Sequence, residues 1–163
     1  MKEHDRGARW GVVIVAIIVL AVVGLFAFAL WWSDRPGDIA HARYTYSASD
    51  RFTRRQLDAA GKTIANAFTS FSGCTLDKVA YDETRTDRIL DLEDKTKRES
   101  PSYSSSIYEA YKRYGRDRIL MADVDFTCDG SEPSLGHGSQ TMTWYLLLGD
   151  DGTTWTEIDH GNG

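Results

Sequence analysis

An uninterrupted apolar run from Gly11 to Leu30 constrains this chain more than any other feature. The run contains no charged or strongly polar side chain, and a helix of about twenty residues extends about 30 Å, the thickness of the hydrocarbon core of a bilayer. Trp10 precedes the run, and Trp31 and Trp32 follow it, where interfacial aromatic residues are expected. We therefore predict that residues 11–32 form a transmembrane helix that contacts the lipid bilayer.

The charges that flank this run predict its orientation. Lys2, Arg6 and Arg9 precede it, whereas the far side opens with Asp34, Arg35 and Asp38, so that the asymmetry in charge is modest. The positive-inside rule therefore favours a signal anchor in the cell membrane, crossing it once, with residues 1–10 in the cytoplasm and the C-terminal domain outside. The alternative is secretion after signal cleavage, because residues 27–29 match an A-x-A cleavage site. The run is longer than a usual signal peptide core, and both alternatives place the domain outside the cytoplasm.

The remainder of the 163-residue chain suffices for one domain. Pro36-Gly37 breaks any continuation of the helix, so residues 33–51 are predicted to form a juxtamembrane linker and residues 52–163 an extracytoplasmic domain. The chain has a net charge of −5, and the segment through Trp32 carries three basic and two acidic residues, which leaves −6 for the rest. An acidic domain argues against a nucleic-acid partner.

Helical signals dominate the first half of the domain. Thr53 and Gln56 form a capping box ahead of apolar residues at helical spacing, and Gly73 has the position of a glycine that ends a helix. A strand is predicted from Cys74 to Tyr81, and Asp82 begins a second helix with a charged C-terminal half. After a serine-rich break, a short third helix is predicted to end at Gly115.

The last third of the sequence predicts a sheet. Residues 119–128, 141–148 and 153–160 are predicted strands, and a tight turn at residues 149–152 joins the last two. Tyr44 and Tyr46 are candidates for a further extended segment. Helices grouped before an antiparallel sheet indicate an α+β fold. We therefore expect an N-terminal transmembrane helix followed by a small domain in which a helix packs on a curved antiparallel sheet.

Cys74 and Cys128 are the only cysteines. They lie at the start of one predicted strand and at the end of another, so antiparallel pairing would bring them within reach of a disulfide. The alternative is two separate buried thiols. Two isolated cysteines lack the C-x-x-C spacing of a metal site, and no metal ligands or cofactor are predicted.

An ordered set of short segments resembles a known group of proteins. These segments are residues 71–76, 81–83, 111–115, 125–126, 143–146 and 155–161. Together they are similar to an uncharacterised family of membrane-anchored or lipidated extracytoplasmic proteins of Gram-positive bacteria, over about residues 52–161. The resemblance implies a cystatin-like or nuclear-transport-factor-like shape. It implies no catalytic residues, and this chain lacks the lipidated cysteine.

Several side chains are candidates for a functional role. Trp144, Tyr145, Trp155 and His160 lie in or beside the predicted sheet, where they would line a pocket or fill the core. His160 follows Asp159, but adjacent strand residues point to opposite faces, so the two side chains are not expected to meet. Asp82, Glu83 and Asp87 do not match an EF-hand and fit the acidic start of a helix. No catalytic residues are predicted.

Two functions remain open at this point. The first is a non-enzymatic binding or interaction module at the cell envelope, whose partner is an envelope component or a protein. The second is a small-ligand-binding protein, or less readily an enzyme, that uses a pocket in the concave face of the sheet. The membrane segment and the acidic domain favour the first function.

Overall fold

The structure is a computed structural model that describes residues 16–28, 35–132 and 134–161. The chain divides into two compact units, Met1–Arg35 and Pro36–Gly163. Residues 16–28 of the first unit are helical. Residues 11–15 and 29–32 of the predicted transmembrane helix lie outside the described residues. Within the described ranges, no helix has both the length and the apolar character needed to cross a membrane.

The folded unit begins with a strand–helix–strand arrangement. Strand β1 (Arg43–Tyr46) is followed by helix α1 (Arg54–Phe68) and strand β2 (Cys74–Tyr81). The capping box is confirmed, because the Thr53 hydroxyl accepts from the Gln56 amide and the Gln56 side chain accepts from the Thr53 amide. Strands β1 and β2 run parallel, since the connection through α1 returns the chain to the starting end of the sheet.

The other elements follow in the predicted order. Helices α2 (Glu83–Glu99) and α3 (Ser106–Tyr114) and a 3-10 turn (Arg116–Arg118) precede strands β3 (Ile119–Cys128), β4 (Gly138–Leu148) and β5 (Trp155–Gly161). The sheet has five strands in the order β1-β2-β3-β4-β5. The α+β class is confirmed, but the expectation of an antiparallel sheet is wrong for β1, which makes the sheet mixed.

Helix α1 covers one face of the sheet. Its buried side chains, Leu57, Ile64 and Phe68 among them, pack on apolar side chains of β2 and on those at every second position of β3 and β4. The fully buried residues of this core include Phe68, Leu76, Val124, Phe126, Trp144 and Leu146. The periodicity of α1 in the sequence therefore corresponds to one continuous core.

Helices α2 and α3 cover only part of the opposite face. A second buried cluster joins Leu90 of α2 and Ile107 and Tyr111 of α3 to Ile119 at the start of β3. Tyr145, Leu147 and Ile158 pack against this cluster. Toward the end of β3 the same face carries Asp125 and Thr127, which are partly or fully exposed. One half of this sheet face is therefore apolar and covered, and the other half is polar and open.

A disulfide joins Cys74, the first residue of β2, to Cys128, the last residue of β3. The two cysteines are directly opposite in the antiparallel register, with Cα atoms 4.0 Å apart. The segment that leads into β1 is hydrogen-bonded at this same end of the sheet. The Asp38 amide donates to the Cys74 carbonyl at 2.8 Å, and the Leu76 amide donates to the Asp38 carbonyl at 2.8 Å.

Two boundaries differ from the sequence prediction. Helix α1 ends at Phe68, not at Gly73, because the hydroxyls of Thr69 and Ser70 bond to carbonyls in the last turn and begin a series of tight turns. Gly73, with φ of +68°, ends that series directly before β2. The folded unit begins at Pro36, so most of the range predicted as a linker, 33–51, is part of the domain.

Gly37 permits a close approach between the start of the domain and the end of α1. Its amide donates to the Thr69 carbonyl at 2.9 Å. A Cβ atom at this position would lie 2.5 Å from the Phe68 carbonyl oxygen and 3.0 Å from the Phe71 carbonyl oxygen. Because the nearest atoms belong to the backbone, a side chain at position 37 requires either the end of α1 or the segment around position 37 to shift.

We expect Gly37→Ala to lower the free energy of unfolding by about 1–3 kcal/mol, the usual cost of forced overpacking. Urea denaturation of the full chain in mild detergent measures this. The matched control is Gly136→Ala, where a new Cβ would have a Gln140 side-chain atom at 3.9 Å as its nearest neighbour among the described residues. The control should remain within about 0.5 kcal/mol of the parent. Equal stability of both variants would contradict the close packing of Gly37.

We expect reduction of the Cys74–Cys128 disulfide to destabilise the domain by about 2–4 kcal/mol, because the cross-link constrains a long loop of the unfolded chain. Denaturation curves of the full chain with and without reductant measure the difference. A Cys74→Ser/Cys128→Ser variant should have the stability of the reduced protein and no response to reductant. A response to reductant in that variant would show that the effect has another origin.

Candidate functional site

The open half of the sheet face carries a row of polar side chains from three strands. The pairing of β2 with β3 is irregular between Leu76 and Lys78, so that one extra residue is accommodated in β2. As a result Asp77 and Lys78, although adjacent, both contact side chains of the open face. Asp77 accepts a hydrogen bond from the Thr127 hydroxyl at 2.8 Å, and the Lys78 ammonium lies 3.1 Å from Asp125.

The polar groups of this face are linked to one another. The Thr141 hydroxyl donates to Asp125 at 2.7 Å, and the hydroxyls of Thr127 and Ser139 lie 3.2 Å apart. At the border of the covered half, Arg85 of α2 pairs with Asp123 at 3.0 Å. Asp123 and Asp125 point to the same face of β3, and each of the two carboxylates has a cationic partner.

A groove of about 280 Å³ lies on this open surface. It is lined by Asp77, Asp125, Phe126, Ser139, Gln140 and Thr141. The lining thus combines carboxylate, hydroxyl and amide groups on neighbouring strands, where the sheet holds them at fixed spacing. Such groups form hydrogen bonds with hydroxyl-rich or ammonium-bearing molecules. We name this site the β3–β4 groove.

The charge state of Asp125 follows from these neighbours. The hydrogen bond from Thr141 is the main cause that lowers its pKa below the ordinary value of 3.8. Partial burial opposes the ionised form, while Lys78, by hydrogen bond and charge, and Arg43, by charge, favour it. The pKa of Asp125 is therefore lowered, and the groove keeps a carboxylate at neutral pH.

The four predicted pocket residues do not lie on one surface. Trp144, Trp155 and His160 are on the α1 face, and Tyr145 packs on the opposite face with the α2–α3 cluster. Trp155 is buried against Phe52, and its indole N–H donates to the Gln56 carbonyl at 2.9 Å. Trp144 is fully buried and packs near Phe71, and its Nε1 has no hydrogen-bond partner among the described residues. The two tryptophans therefore contribute to the core beneath α1.

His160 is the one exposed member of this group. Its ring stacks on the Trp144 indole with centroids 4.7 Å apart, and its Nδ1 lies 2.6 Å from a Glu157 carboxylate oxygen. The prediction that Asp159 does not reach the imidazole is confirmed. Asp159 accepts instead from the His160 amide at 2.9 Å and from the Ser106 hydroxyl at 2.6 Å.

The Glu157–His160 pair escaped the sequence analysis because it depends on a second irregularity of the sheet. Glu157 pairs with Leu146 and Asp159 with Tyr145, so Ile158 is an extra residue in β5. In a regular strand, residues three apart face opposite sides. The extra residue brings Glu157 and His160 to the same side. No signal in the sequence marks this position.

The acidic residues at the start of α2 have a structural role. Asp82 caps the helix by accepting from the Arg85 amide at 3.0 Å. Glu83 accepts hydrogen bonds from Ser49 and Tyr81 and pairs with Arg51, which also pairs with Asp87. Burial opposes ionisation of Glu83, but Ser49 and Arg51 outweigh it, so the pKa of Glu83 is lowered. The interpretation as an acidic helix start is confirmed.

A smaller cavity of about 200 Å³ lies at the other end of the sheet. It is bordered by the first turn of α1 and the turn between β4 and β5, and its lining residues are Thr53, Arg55, Gln56, Ala59, Gly152 and Thr153. The Gln56 side chain crosses to donate to the Gly152 carbonyl at 2.9 Å. This contact ties the helix start to the hairpin turn.

Within the described part of the chain, no group of three or more histidine, cysteine, aspartate or glutamate side chains has an arrangement that holds a metal ion. Comparisons with protein families, with curated proteins and with solved structures find no match to this chain. The resemblance to an extracytoplasmic Gram-positive family therefore stays a prediction. The site has to be interpreted from its own geometry.

We expect Thr141→Val to raise the pKa of Asp125 toward 3.8, because it removes the hydrogen bond that contributes most to lowering it. A lowered folded-state pKa stabilises the domain above pH 3.8, and that stabilisation is lost as the pH falls through the folded-state value. As the pH falls below about 4, the free energy of unfolding should therefore decrease less in the variant than in the parent. NMR titration of the Asp125 carboxyl carbon measures the pKa.

Thr143→Val is the matched control for this prediction. The Thr143 hydroxyl donates to Asp123 at 3.4 Å, on the same strand as Asp125 but to a different carboxylate. The control should leave the pKa of Asp125 at the parent value. An equal change in both variants would mean that general loosening of the strand, not the Thr141 hydrogen bond, sets the charge state of the groove.

Proposed function

We propose that this protein is a non-enzymatic binding module of the cell envelope, held at the outer surface of the membrane by residues 11–32. Its binding surface is the β3–β4 groove. The single observation that carries the binding function is the open half of the sheet face, where carboxylate, hydroxyl and amide side chains line a groove of about 280 Å³.

Two observations support the extracytoplasmic location. Disulfides persist in oxidising compartments and are rare in the cytosol, and Cys74 is bonded to Cys128 in this domain. The apolar run that ends at Leu30 has the length and flanking residues of a membrane anchor with its C-terminal side outside. The alternative of secretion after cleavage is consistent with the disulfide and differs only in the fate of the anchor.

The composition of the groove favours a polar ligand. Asp77 makes a hydrogen bond to Thr127 and takes part in no ion pair with a described residue, so its carboxylate remains available to a cationic group. Ser139 and Thr141 add hydroxyls from β4. Saccharides that bear hydroxyl and ammonium groups match this set of donors and acceptors, and they are typical components of a cell envelope.

A thermal-shift experiment on the full chain in detergent tests this function. The probes are a glucosamine tetrasaccharide, which bears ammonium groups, and its N-acetylated counterpart, which does not. We expect the melting temperature to rise with the first probe and to rise less with the second, because binding to the folded state stabilises it. Asp77→Asn should remove the difference between the two probes.

The control variant is Asp58→Asn, which changes an exposed carboxylate of α1 that pairs with Arg54. It should respond to both probes as the parent does. No rise with either probe would contradict the saccharide-binding function. A rise that Asp77→Asn and Asp58→Asn leave equally unchanged would contradict binding in the β3–β4 groove.

The second candidate function, small-ligand binding, is supported by a different observation. The smaller cavity beside α1 is bordered by Arg55 and by hydroxyls of Thr53 and Thr153. A melting-temperature rise that Arg55→Ala removes and Asp77→Asn preserves would place a ligand there. The buried positions of Trp144 and Trp155 provide no comparable opening beneath α1.

A further inference from the structure

We propose that the β3–β4 groove takes a zwitterionic saccharide, whose ammonium group lies at Asp77 and whose carboxylate binds to Arg43. Arg43 belongs to β1 and is not among the residues that line the groove itself. The inference rests on the proposed saccharide-binding function and deepens it, because it adds the acidic group of the ligand and the residue that binds that group.

Arg43 lies on the same face of the sheet as the groove. A Cβ atom at Gly61 of α1 would lie 2.5 Å from the Tyr46 hydroxyl oxygen and 2.8 Å from a ring carbon of Tyr44, so both tyrosines lie against α1. Arg43 alternates with them along β1 and therefore faces the opposite side. It is directly opposite Lys78 in the register of β1 and β2.

Arg43 extends the polar row of the groove onto a fourth strand. Lys78 is in register with Asp125 of β3, and Asp125 is in register with Thr141 of β4. The hydrogen bond from Thr141 does most to lower the pKa of Asp125, and the charges of Lys78 and Arg43 add to this effect. The Arg43 guanidinium is therefore within electrostatic reach of the groove.

The charges of this row leave one cation and one anion free. Lys78 and Asp125 neutralise each other as an ion pair at 3.1 Å. The Asp77 carboxylate accepts a hydrogen bond from Thr127, and neither Asp77 nor Arg43 forms an ion pair with a described residue. A ligand with one ammonium and one carboxylate therefore matches both free charges, whereas a ligand with an ammonium alone leaves Arg43 unpaired.

The position of Arg43 is unfavourable without an anion. Like charges at directly opposite positions of neighbouring strands repel each other, whichever way the strands run, and Arg43 is opposite Lys78. Asp125 compensates Lys78, but Arg43 is exposed on the edge strand. A ligand carboxylate would offset this repulsion and would accept two parallel hydrogen bonds from the planar guanidinium.

The spacing of the two free charges indicates how the ligand carries them. The Asp77 carboxylate reaches Thr127 of β3, and Arg43 lies on β1. These strands are two strand spacings apart, or about 10 Å. This separation favours an ammonium and a carboxylate on neighbouring sugar rings over two charges on one ring.

Titration calorimetry of the full chain in mild detergent, at low ionic strength, tests this subsite. The first probe is the disaccharide of glucuronic acid and glucosamine, and in the second probe glucose replaces the glucuronic acid. We expect the first probe to bind about fivefold more tightly, the upper end for an ion pair at an exposed position. Arg43→Gln should make the two dissociation constants equal. Arg43→Lys should restore part of the difference, because it keeps the charge but not the planar donor pair.

Arg113→Gln is the matched control, since Arg113 is an exposed arginine of α3 that lies over the Tyr114 ring. It should leave the affinity ratio of the two probes at the parent value. Unchanged binding of the second probe shows that Arg43→Gln is folded.

Equal affinity of the parent for both probes, or a ratio that Arg43→Gln leaves unchanged, overturns the carboxylate subsite. The saccharide-binding function survives that result if Asp77→Asn still weakens the binding of both probes. The absence of binding by either probe overturns the saccharide-binding function and the subsite together.

Discussion

The junction at which β2 begins and β3 ends is the constraint on which the rest of the domain depends. The disulfide aligns Cys74 with Cys128 and thereby sets the register of the two central strands. In a sheet, a shift by one residue would turn every side chain to the other face. The same junction accepts the chain that enters at Asp38, so it links the start of the domain to its core. One covalent bond thus supports both the packing beneath α1 and the bridge that Asp38 makes at the start of the domain.

The sheet face opposite α1 has a covered apolar half and an open polar half, and this division follows from the register. Ile119 lies under α2 and α3, and on the same side of β3 the later residues are Asp125 and Thr127. Helices long enough to cover the whole face would bury these polar groups at a cost that their hydrogen bonds would have to offset. Because α2 and α3 cover only part of this face, the β3–β4 groove stays open. The irregularity in β2 adds Asp77 to the groove, and the irregularity in β5 brings Glu157 and His160 to the same side of that strand. A binding surface and a stable core therefore coexist on one sheet.

Much of this fold could be predicted from the sequence because local patterns and tertiary packing agree. The alternation of Leu120, Ala122, Val124 and Phe126 identified β3, and the Thr53 capping box located the start of α1. The parallel strand β1 carried a weaker signal, since it has four residues and little burial. Its pairing with β2 depends on the crossover connection through α1. No residue pattern within β1 indicates that connection. The end of α1 was displaced because hydroxyls of Thr69 and Ser70 compete with further helix formation.

The candidate site was harder to predict than the fold for a related reason. Successive side chains of a regular strand point to alternate faces of the sheet, so the sequence predicts the face of each residue. Asp77 and Ile158 are extra residues that interrupt this alternation. Each interruption brings together side chains that the period would separate, Asp77 with Lys78 on one face and Glu157 with His160 on the other. For the aromatic residues, in contrast, the sequence left both a pocket lining and a place in the core open. Trp144 and Tyr145 are neighbours in sequence and so occupy opposite faces, and the large apolar area of Trp144 stabilises the core in which it is buried. In this domain the polar residues at irregular positions, more than the conspicuous aromatic residues, define the surface available to a ligand.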